Sequence, residues 1–128
     1  MKKNFDSWNN KKKEINDKSQ NRFYHPREAW WCSLGINIGF EQDGTSGQYQ
    51  RPVLIIRAFN RHVCLIVPLT TSAKKNKYHV SLRMIKGKEA FAIISQLRLI
   101  DTKRFTDRLA VVDKQVFDTI KNAVRDLI

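Results

Sequence analysis

The most regular hydrophobic pattern of the chain lies near its C-terminus, over residues 114–127. Apolar side chains recur there at the three- and four-residue spacing of a helix with one buried face: Val116, Phe117, Ile120, Ala123, Val124 and Leu127. Asp113 is placed to cap this helix, and Val112 and Phe117 have the spacing of a hydrophobic staple. The pattern therefore predicts a helix over 114–127 that packs one face on the rest of the protein.

Upstream of this helix the pattern changes to short apolar runs, which are typical of β-strands. The runs are rich in aromatic and β-branched residues and cover 29–34, 53–56, 63–67, 78–82, 90–94 and 97–100. The last two are either two strands or one bent strand, and Asn60-Arg61 is placed as a hairpin turn. Five or six short strands and one terminal helix predict a mainly β protein with a C-terminal α-helix, built as a small closed or nearly closed β-barrel.

The region before the barrel has a different composition. Residues 1–26 are polar and rich in Lys and Asn, and they carry only one thin apolar stripe. We expect a basic N-terminal extension over 1–26 and a single domain over 27–128. The N-terminal lysines precede no apolar stretch, so the segment does not resemble a secretory signal. No apolar run approaches the roughly 18 residues that a membrane-spanning helix needs, and we expect no membrane partner.

Charge points to the class of partner. The chain has 24 Lys and Arg against 12 Asp and Glu, a formal net charge of +12. Such a charge on a small protein attracts polyanions. Anionic lipid is the alternative partner, although no long basic amphipathic helix supports it, and a simple solubility effect is another. Six cations and no acid lie within residues 72–88, which predicts a surface that follows phosphates or, alternatively, a solvated loop.

The cysteines argue for a reducing environment. Cys32 and Cys64 both lie inside apolar runs, as expected for buried, reduced thiols of a cytoplasmic protein. No Cys/His spacing is typical of a zinc site, and we expect neither metal nor other cofactor.

Three polar segments carry the candidate chemistry. Residues 39–44 lie in a long glycine-containing loop and offer carboxylates for acid–base work. Arg51 opens a strand, which is a rigid place to hold a cation against a phosphate. Residues 70–72 are three hydroxyl side chains that begin where an apolar strand ends, and hydroxyls bind phosphate oxygens. Each signal is weak alone, because a threonine such as Thr70 is commonly only a turn residue.

Together, in this order, these segments resemble the MazF/PemK family of toxin ribonucleases, over residues 27 to 128. Five segments carry the resemblance: Arg27-Glu28-Ala29-Trp30-Trp31, Gly39-Phe40-Glu41-Gln42, Arg51-Pro52-Val53-Leu54-Ile55, Val67-Pro68-Leu69-Thr70-Thr71 and Gln96-Leu97-Arg98-Leu99-Ile100-Asp101. No single segment is specific, and the weight lies in five of them at fitting distances.

The resemblance implies an SH3-like barrel, usually a homodimer, that cleaves single-stranded RNA, mRNA above all, without a metal. It assigns catalysis to Arg51 and Thr70, and Glu41 is the candidate base. It also implies an acidic antitoxin partner in a type II toxin–antitoxin system. We expect RNA contacts from a further set of residues: Gln42, Thr71, Lys74, Lys75, Lys77, His79, Gln96 and Arg98.

This chain departs from the family pattern on the late strand. Some members have an acid just before the late glutamine and an arginine two residues earlier, where this chain has Ser95 and Ile93. The Arg51/Thr70 arrangement is therefore favoured over an Arg/Asp pair on that strand. Two other functions remain open: a non-catalytic nucleic-acid-binding barrel, and a gyrase-poisoning toxin on the same fold.

Overall fold

The computed structural model describes residues 23–33, 50–72 and 76–128 of the chain. Three parts of the expected organisation lie outside this description: residues 1–22 of the extension, Leu34 at the end of the first apolar run, and residues 35–49 of the long glycine-containing loop. Within it, no helix is both long and apolar enough to cross a membrane.

The described residues form β-strands followed by one α-helix. The strands are β1 (Glu28–Ser33), β2 (Gln50–Ala58), β3 (Val63–Thr70), β4 (His79–Ile85), β5 (Lys88–Ile93), β6 (Arg98–Asp101) and β7 (Phe105–Val111), and the helix is α1 (Lys114–Leu127). Two short 3₁₀ turns, Ile94–Gln96 and Thr102–Arg104, flank β6. The predicted helix and the six apolar runs are confirmed, and β5 and β6 are separate strands rather than one bent strand.

Strand β7 was not anticipated from the sequence. Its polar centre, Thr106, Asp107 and Arg108, interrupts the apolar pattern, and only Phe105 within it is fully buried. The strand pairs with β1 through an irregular register that shifts twice, and it ends the path of paired strands. An edge strand needs few apolar side chains, because one of its sides has no neighbouring strand to pack on.

The sheet curls into a half-barrel, which confirms the predicted fold class while leaving the barrel open. The antiparallel strand order is β4-β5-β3-β2-β1-β7, and β6 pairs with the first half of β3. At the centre, alternate side chains of β2 enter opposite cores: Val53 and Ile55 point to one, Leu54 and Ile56 to the other. Burial of both faces explains why β2 and β3 read as continuous apolar runs.

The helix-side core joins α1 to one face of the sheet. It contains fourteen buried residues: Ala29, Leu54, Ile56, Val67, Leu69, Leu82, Ala90, Ala92, Ile94, Val112, Val116, Phe117, Ile120 and Val124. The Asp113 carboxylate accepts a hydrogen bond from the backbone N–H of Gln115 at 3.2 Å, which confirms the predicted N-cap. Val112 and Phe117 are buried in the same cluster, as the staple requires.

The aromatic core fills the opposite face of the sheet and contains Tyr24, Trp30, Cys32, Val53, Ile55, Cys64, Ile66, Ile100 and Phe105. The ring of Tyr24 lies 5.1 Å from that of Trp30 and 4.8 Å from that of Phe105, measured between centroids. The buried carboxylate of Glu28 accepts hydrogen bonds from Trp30 Nε1 at 3.1 Å and from the backbone of His25 at 3.0 Å. These contacts fix the start of the domain to the sheet.

Two hairpin turns have well-defined chemistry. In the β2–β3 turn the Asn60 side chain accepts hydrogen bonds from the backbone N–H groups of His62 and Val63, at 2.7 and 3.0 Å, so the turn expected at this position is confirmed. In the β4–β5 turn Ile85 pairs with Lys88 across the two residues Lys86 and Gly87. Both have positive φ, 52° and 82°, which is the geometry of a type I′ turn.

The helix-side core predicts how stability responds to truncation of α1. Ile120 is fully buried, so Ile120→Ala removes apolar contacts and leaves a cavity, and we expect a loss of about 2–5 kcal/mol in the free energy of unfolding. Thr119→Ala is the matched control on the exposed side of the helix, with an expected change within about 0.5 kcal/mol. Urea denaturation followed by circular dichroism measures both, and equal losses would contradict this packing of α1.

Candidate functional site

A cavity of about 360 Å³ opens where β2 begins, β3 ends and the β4–β5 hairpin turns. Its wall is made by Trp31, Arg51, Pro52, Leu69, Thr70, Thr71, Ile85, Lys86, Lys88, Ala90 and Leu109. The volume lies at the low end of the range for ligand pockets, roughly 300–1,000 Å³, which is room for about one nucleotide unit rather than a folded substrate.

Strand register brings the two predicted catalytic residues together. In the β2–β3 pairing Leu54 lies opposite Val67 and Val53 opposite Pro68. Arg51, near the start of β2, and Thr70, at the end of β3, each lie two residues beyond the Val53–Pro68 pair, and both residues line the cavity. Two residues that are far apart in the chain therefore reach one cavity because two apolar strands pair in one frame.

The two residues differ in burial. Arg51 is 4% exposed, so it contributes to the buried part of the cavity lining, the floor. Thr70 is half-buried, and its Oγ1 accepts a hydrogen bond from the backbone N–H of Ser72 at 3.1 Å. That bond holds the hydroxyl oxygen in place and leaves its proton to be donated toward an oxygen in the cavity.

Most of the remaining wall is apolar. Trp31 pairs with Pro52 across β1 and β2, and Leu69, Ile85, Ala90 and Leu109 add aliphatic surface. An apolar wall displaces water and strengthens the field of a cation beside it. An aromatic ring in such a wall also offers a stacking surface for a nucleobase.

Two lysines complete the cavity on the hairpin side. Lys86 and Lys88 both line it, yet both are exposed, so they stand at the rim rather than on the floor. The sequence places them in the basic segment 72–88, but it favours earlier lysines as ligand contacts. The signal that identifies them is the Lys86-Gly87 pair between two strands, which predicts a tight hairpin turn.

The other predicted RNA contacts are distributed unevenly. Thr71 lines the cavity beside Thr70. Four do not line it: Lys77 and His79 lie at or before the start of β4, Gln96 in a 3₁₀ turn, and Arg98 on β6 opposite Ile66. Glu41, Gln42, Lys74 and Lys75 lie outside the described residues, so the proposed base remains a prediction.

Cationic side chains also act on the thiol next to Arg51. Cys32 lies opposite Arg51 in the β1–β2 pairing. Burial raises the pKa of its thiol to about 12, and the charges of Arg104 and Arg98 partly oppose that rise. Burial likewise raises the pKa of Cys64 to about 11, with a further rise from the charge of Glu28. The cavity therefore sits beside a neutral thiol and a group of permanent cations.

The residues that line the cavity are suited to anion binding. No three His, Cys, Asp or Glu side chains converge in the ranges 23–33, 50–72 and 76–128. The polar residues that line the cavity are one arginine, two threonines and two lysines. The side chains of all five can donate hydrogen bonds to phosphate oxygens.

Comparison with protein families gives one match. A family model described as PemK-like, MazF-like toxin of type II toxin–antitoxin system matches residues 26–128. That span contains the whole curled sheet, the helix and every residue predicted for the site. A search among curated proteins found no match.

Solved structures with the same fold are distant in sequence. MazF (form I) from Deinococcus radiodurans has a TM-score of 0.66 at 18% identity, over 84% of this chain and 97% of that chain. An endoribonuclease in complex with its cognate antitoxin, from a mycobacterial species, has a TM-score of 0.63 at 16% identity, over 81% and 93%. MazE–MazF (form II) from D. radiodurans has a TM-score of 0.60 at 15% identity, over 84% and 96%. At these identities the likeness shows the fold.

The raised pKa values of the two thiols predict their reactivity. At pH 8 a disulfide-exchange reagent should label neither Cys32 nor Cys64 in the folded protein, because only the thiolate reacts and both thiols are protonated. In guanidinium chloride, where the protein is unfolded, both cysteines should be labelled rapidly. The folded state holds both thiol protons, so this contribution to stability is complete below pH 9 and is lost as the pH rises from about 9 to about 12. Equal labelling rates in the folded and unfolded protein would contradict this.

Proposed function

Because the chain belongs to the family of PemK-like, MazF-like toxins of type II toxin–antitoxin systems, we propose that it is an endoribonuclease that cleaves single-stranded RNA, mRNA in the cell, without a metal ion. One observation carries the proposal beyond the family: Arg51 and Thr70, both two residues beyond the last pair of the β2–β3 ladder, line the same cavity. A merely nucleic-acid-binding barrel has no need to bury an arginine in a cavity that a threonine hydroxyl also lines.

The chemistry needs only groups of the protein and the substrate. RNA carries its own nucleophile, the ribose 2′-OH, which attacks the adjacent phosphorus as a base removes its proton. The bond from phosphorus to the 5′-oxygen then breaks, and that oxygen takes up a proton. The products are a 2′,3′-cyclic phosphate and a 5′-OH end. The enzyme must supply a base, an acid and positive charge for the crowded phosphorane.

Arg51 is suited to hold the charge that develops on phosphorus. Its guanidinium is permanently charged and presents donors in a planar fork that matches two phosphate oxygens. At 4% exposure it is poorly screened by salt, so its field at the floor of the cavity exceeds that of a surface cation. Thr70 donates its hydroxyl proton to a non-bridging phosphate oxygen, and Glu41 remains our candidate base.

The apolar wall is suited to a base or a ribose next to the scissile phosphate. Trp31 supplies a ring for stacking, which contributes about 1–3 kcal/mol per base in single-strand binding. The net charge of +12 attracts the RNA over a longer range. Thr71 also lines the cavity. The other predicted contacts would bind the RNA strand where it continues beyond the cavity: Gln42, Lys74, Lys75, Lys77, His79, Gln96 and Arg98.

Removal of the buried guanidinium tests the proposal. Arg51→Ala should lower the cleavage rate of a long single-stranded RNA in excess chelator by about 10²–10³, because it removes a preorganised charge from the site. Arg57→Ala is the matched control, since Arg57 lies on the same strand but is exposed and stacks on Phe59, and its rate should stay within about threefold. Quantitative gel analysis of the fragments gives both rates.

The ends of the fragments distinguish the mechanisms. Wild-type protein should leave 2′,3′-cyclic phosphate and 5′-OH ends whether or not chelator is present. Cleavage that stops with chelator, or 5′-phosphate ends, would overturn the metal-independent mechanism. RNA binding without cutting would favour a non-catalytic barrel, and inhibition of DNA gyrase without RNA cutting would favour a gyrase-poisoning toxin.

We infer an acidic antitoxin as the protein partner, with the toxin acting as a cytoplasmic homodimer. Two of the similar structures are a mycobacterial endoribonuclease with its cognate antitoxin and MazE–MazF, which supports a partner of this kind. An acidic, largely disordered segment competes for the surface that attracts RNA on a chain of net charge +12. Exposed ion pairs contribute little each, so apolar anchors are also needed, and we expect them to enter grooves near residues 35–50 and the seam of the proposed dimer.

Co-expression tests this partner. The protein encoded immediately upstream, the place expected for an antitoxin in this family, should co-purify with the chain as a stable complex that no longer cuts RNA. Chain released from the complex by denaturation and refolded alone is the control and should cut. An upstream protein that neither binds nor protects would contradict the inference, whatever the outcome of the Arg51 test.

A further inference from the structure

The hairpin between β4 and β5 has an unfavourable residue at its tip. Type I′ turns require positive φ at both central residues, so asparagine and glycine are strongly preferred there. Gly87 meets this requirement freely, with open space where a side chain would begin. Lys86, at φ 52°, occupies a left-handed conformation that a long side chain rarely adopts. The first turn position therefore departs from what the hairpin alone would select.

Lys86 differs from an ordinary surface turn residue because it lines the cavity. Lys86 and Lys88 flank Gly87 and both line the cavity that contains Arg51 and Thr70. Arg83, on β4 of the same hairpin, is also exposed and also has positive φ, 64°, at the bulge where the register shifts, but it does not line the cavity. The strained position at the tip is thus the one that carries a charge into the site.

The cations that line this cavity differ in burial, and the difference suits them to different roles. Arg51 lies on the floor at 4% exposure, whereas Lys86 and Lys88 are exposed at the rim. A buried cation keeps its field as charge develops on a reacting group, while exposed ammonium groups are hydrated and screened by salt. Rim lysines are therefore suited to hold an anion that is already charged when it binds, such as a backbone phosphate.

We propose that the Lys86-Gly87 turn, with Lys86 and Lys88, forms a binding site for a phosphodiester that flanks the scissile one in single-stranded RNA. The type I′ turn holds the two ammonium groups at the mouth of the cavity, and the nucleotide between the two phosphates lies against the wall formed by Trp31 and Leu109. This inference rests on the proposed ribonuclease function. It assigns Lys86 to substrate binding and leaves phosphorane stabilisation to Arg51.

Lys86→Asn separates this role from a structural one. Asparagine suits the first position of a type I′ turn better than lysine, so the variant should melt at the same temperature as wild type or higher. Its KM for a short single-stranded RNA should nevertheless rise about tenfold, the effect of one lost phosphate contact, with kcat within twofold. Loss of the turn would lower both the melting temperature and kcat, so the two explanations predict opposite results.

The matched control is Arg83→Asn. It removes one positive charge from the same hairpin and relieves the same kind of backbone conformation, but outside the cavity. We expect its KM to stay within twofold of wild type. Lys86→Arg restores the charge at the tip and should recover most of the wild-type KM. Lys86→Gly is a second variant that removes the ammonium group and keeps the turn, because glycine adopts this conformation without strain.

Binding of an uncleavable RNA makes the test independent of catalysis. With 2′-O-methyl RNA, the slope of log Kd against log salt should fall by about 0.7 in Lys86→Asn, the value for one phosphate contact on a single strand, and should not change in Arg83→Asn. Equal slopes in the two variants, or a fall in kcat with unchanged KM, would overturn the proposal. If Arg51→Ala still cleaves RNA while Lys86→Asn changes the slope, the proposed catalytic role fails and the phosphate site stands.

Discussion

Strands β2 and β3 are buried on both faces, and the register between them is the constraint on which the rest of the molecule depends. Each strand alternates between the helix-side core and the aromatic core, so neither can slip by one residue without exchanging its two faces. A slip of one residue would move the side chains of one core into the other core, and the close packing of both cores would be lost. The register that the cores fix by packing also brings the start of β2 and the end of β3, with Arg51 and Thr70, to the same cavity.

The position of the site follows from where this packing ends. β3 leaves β6 and joins β5 near its C-terminal end, and β2 begins at the same end of the sheet. Among the described residues, the side chains there leave a cavity with an apolar wall and exposed lysines at its rim. Within it, exposure increases from Arg51 to Thr70 to Lys86, so the charge of Arg51 on the floor is less screened than that of Lys86 at the rim.

Sequence patterns predict the parts of this fold that rest on local periodicity. The helix from Lys114 to Leu127 and its Asp113 cap follow from spacing alone, and the apolar runs of β2 and β3 can be recognised because both faces are buried. β7 escapes the same reasoning, since Asp107 and Arg108 lie on an edge where solvation is tolerated. The pairing partner of an edge strand is decided by tertiary contacts, which no local pattern contains.

The candidate site, like the fold, can be predicted from the sequence only in part, and there is a physical reason for this. Arg51 and Thr70 stand in motifs, but nothing in their spacing along the chain says that they line one cavity. The family resemblance suggests a shared site, and the pairing of β2 with β3 brings the ends of these strands to it. Lys77 and Lys86 belong to one basic segment and are equivalent by charge. Lys77 lies over the ring of Tyr78 at 5.0 Å, away from the cavity wall, whereas the turn at Gly87 directs Lys86 into it. A net charge of +12 thus favours the approach of a polyanion, and backbone conformation at a few residues determines which cations line the cavity.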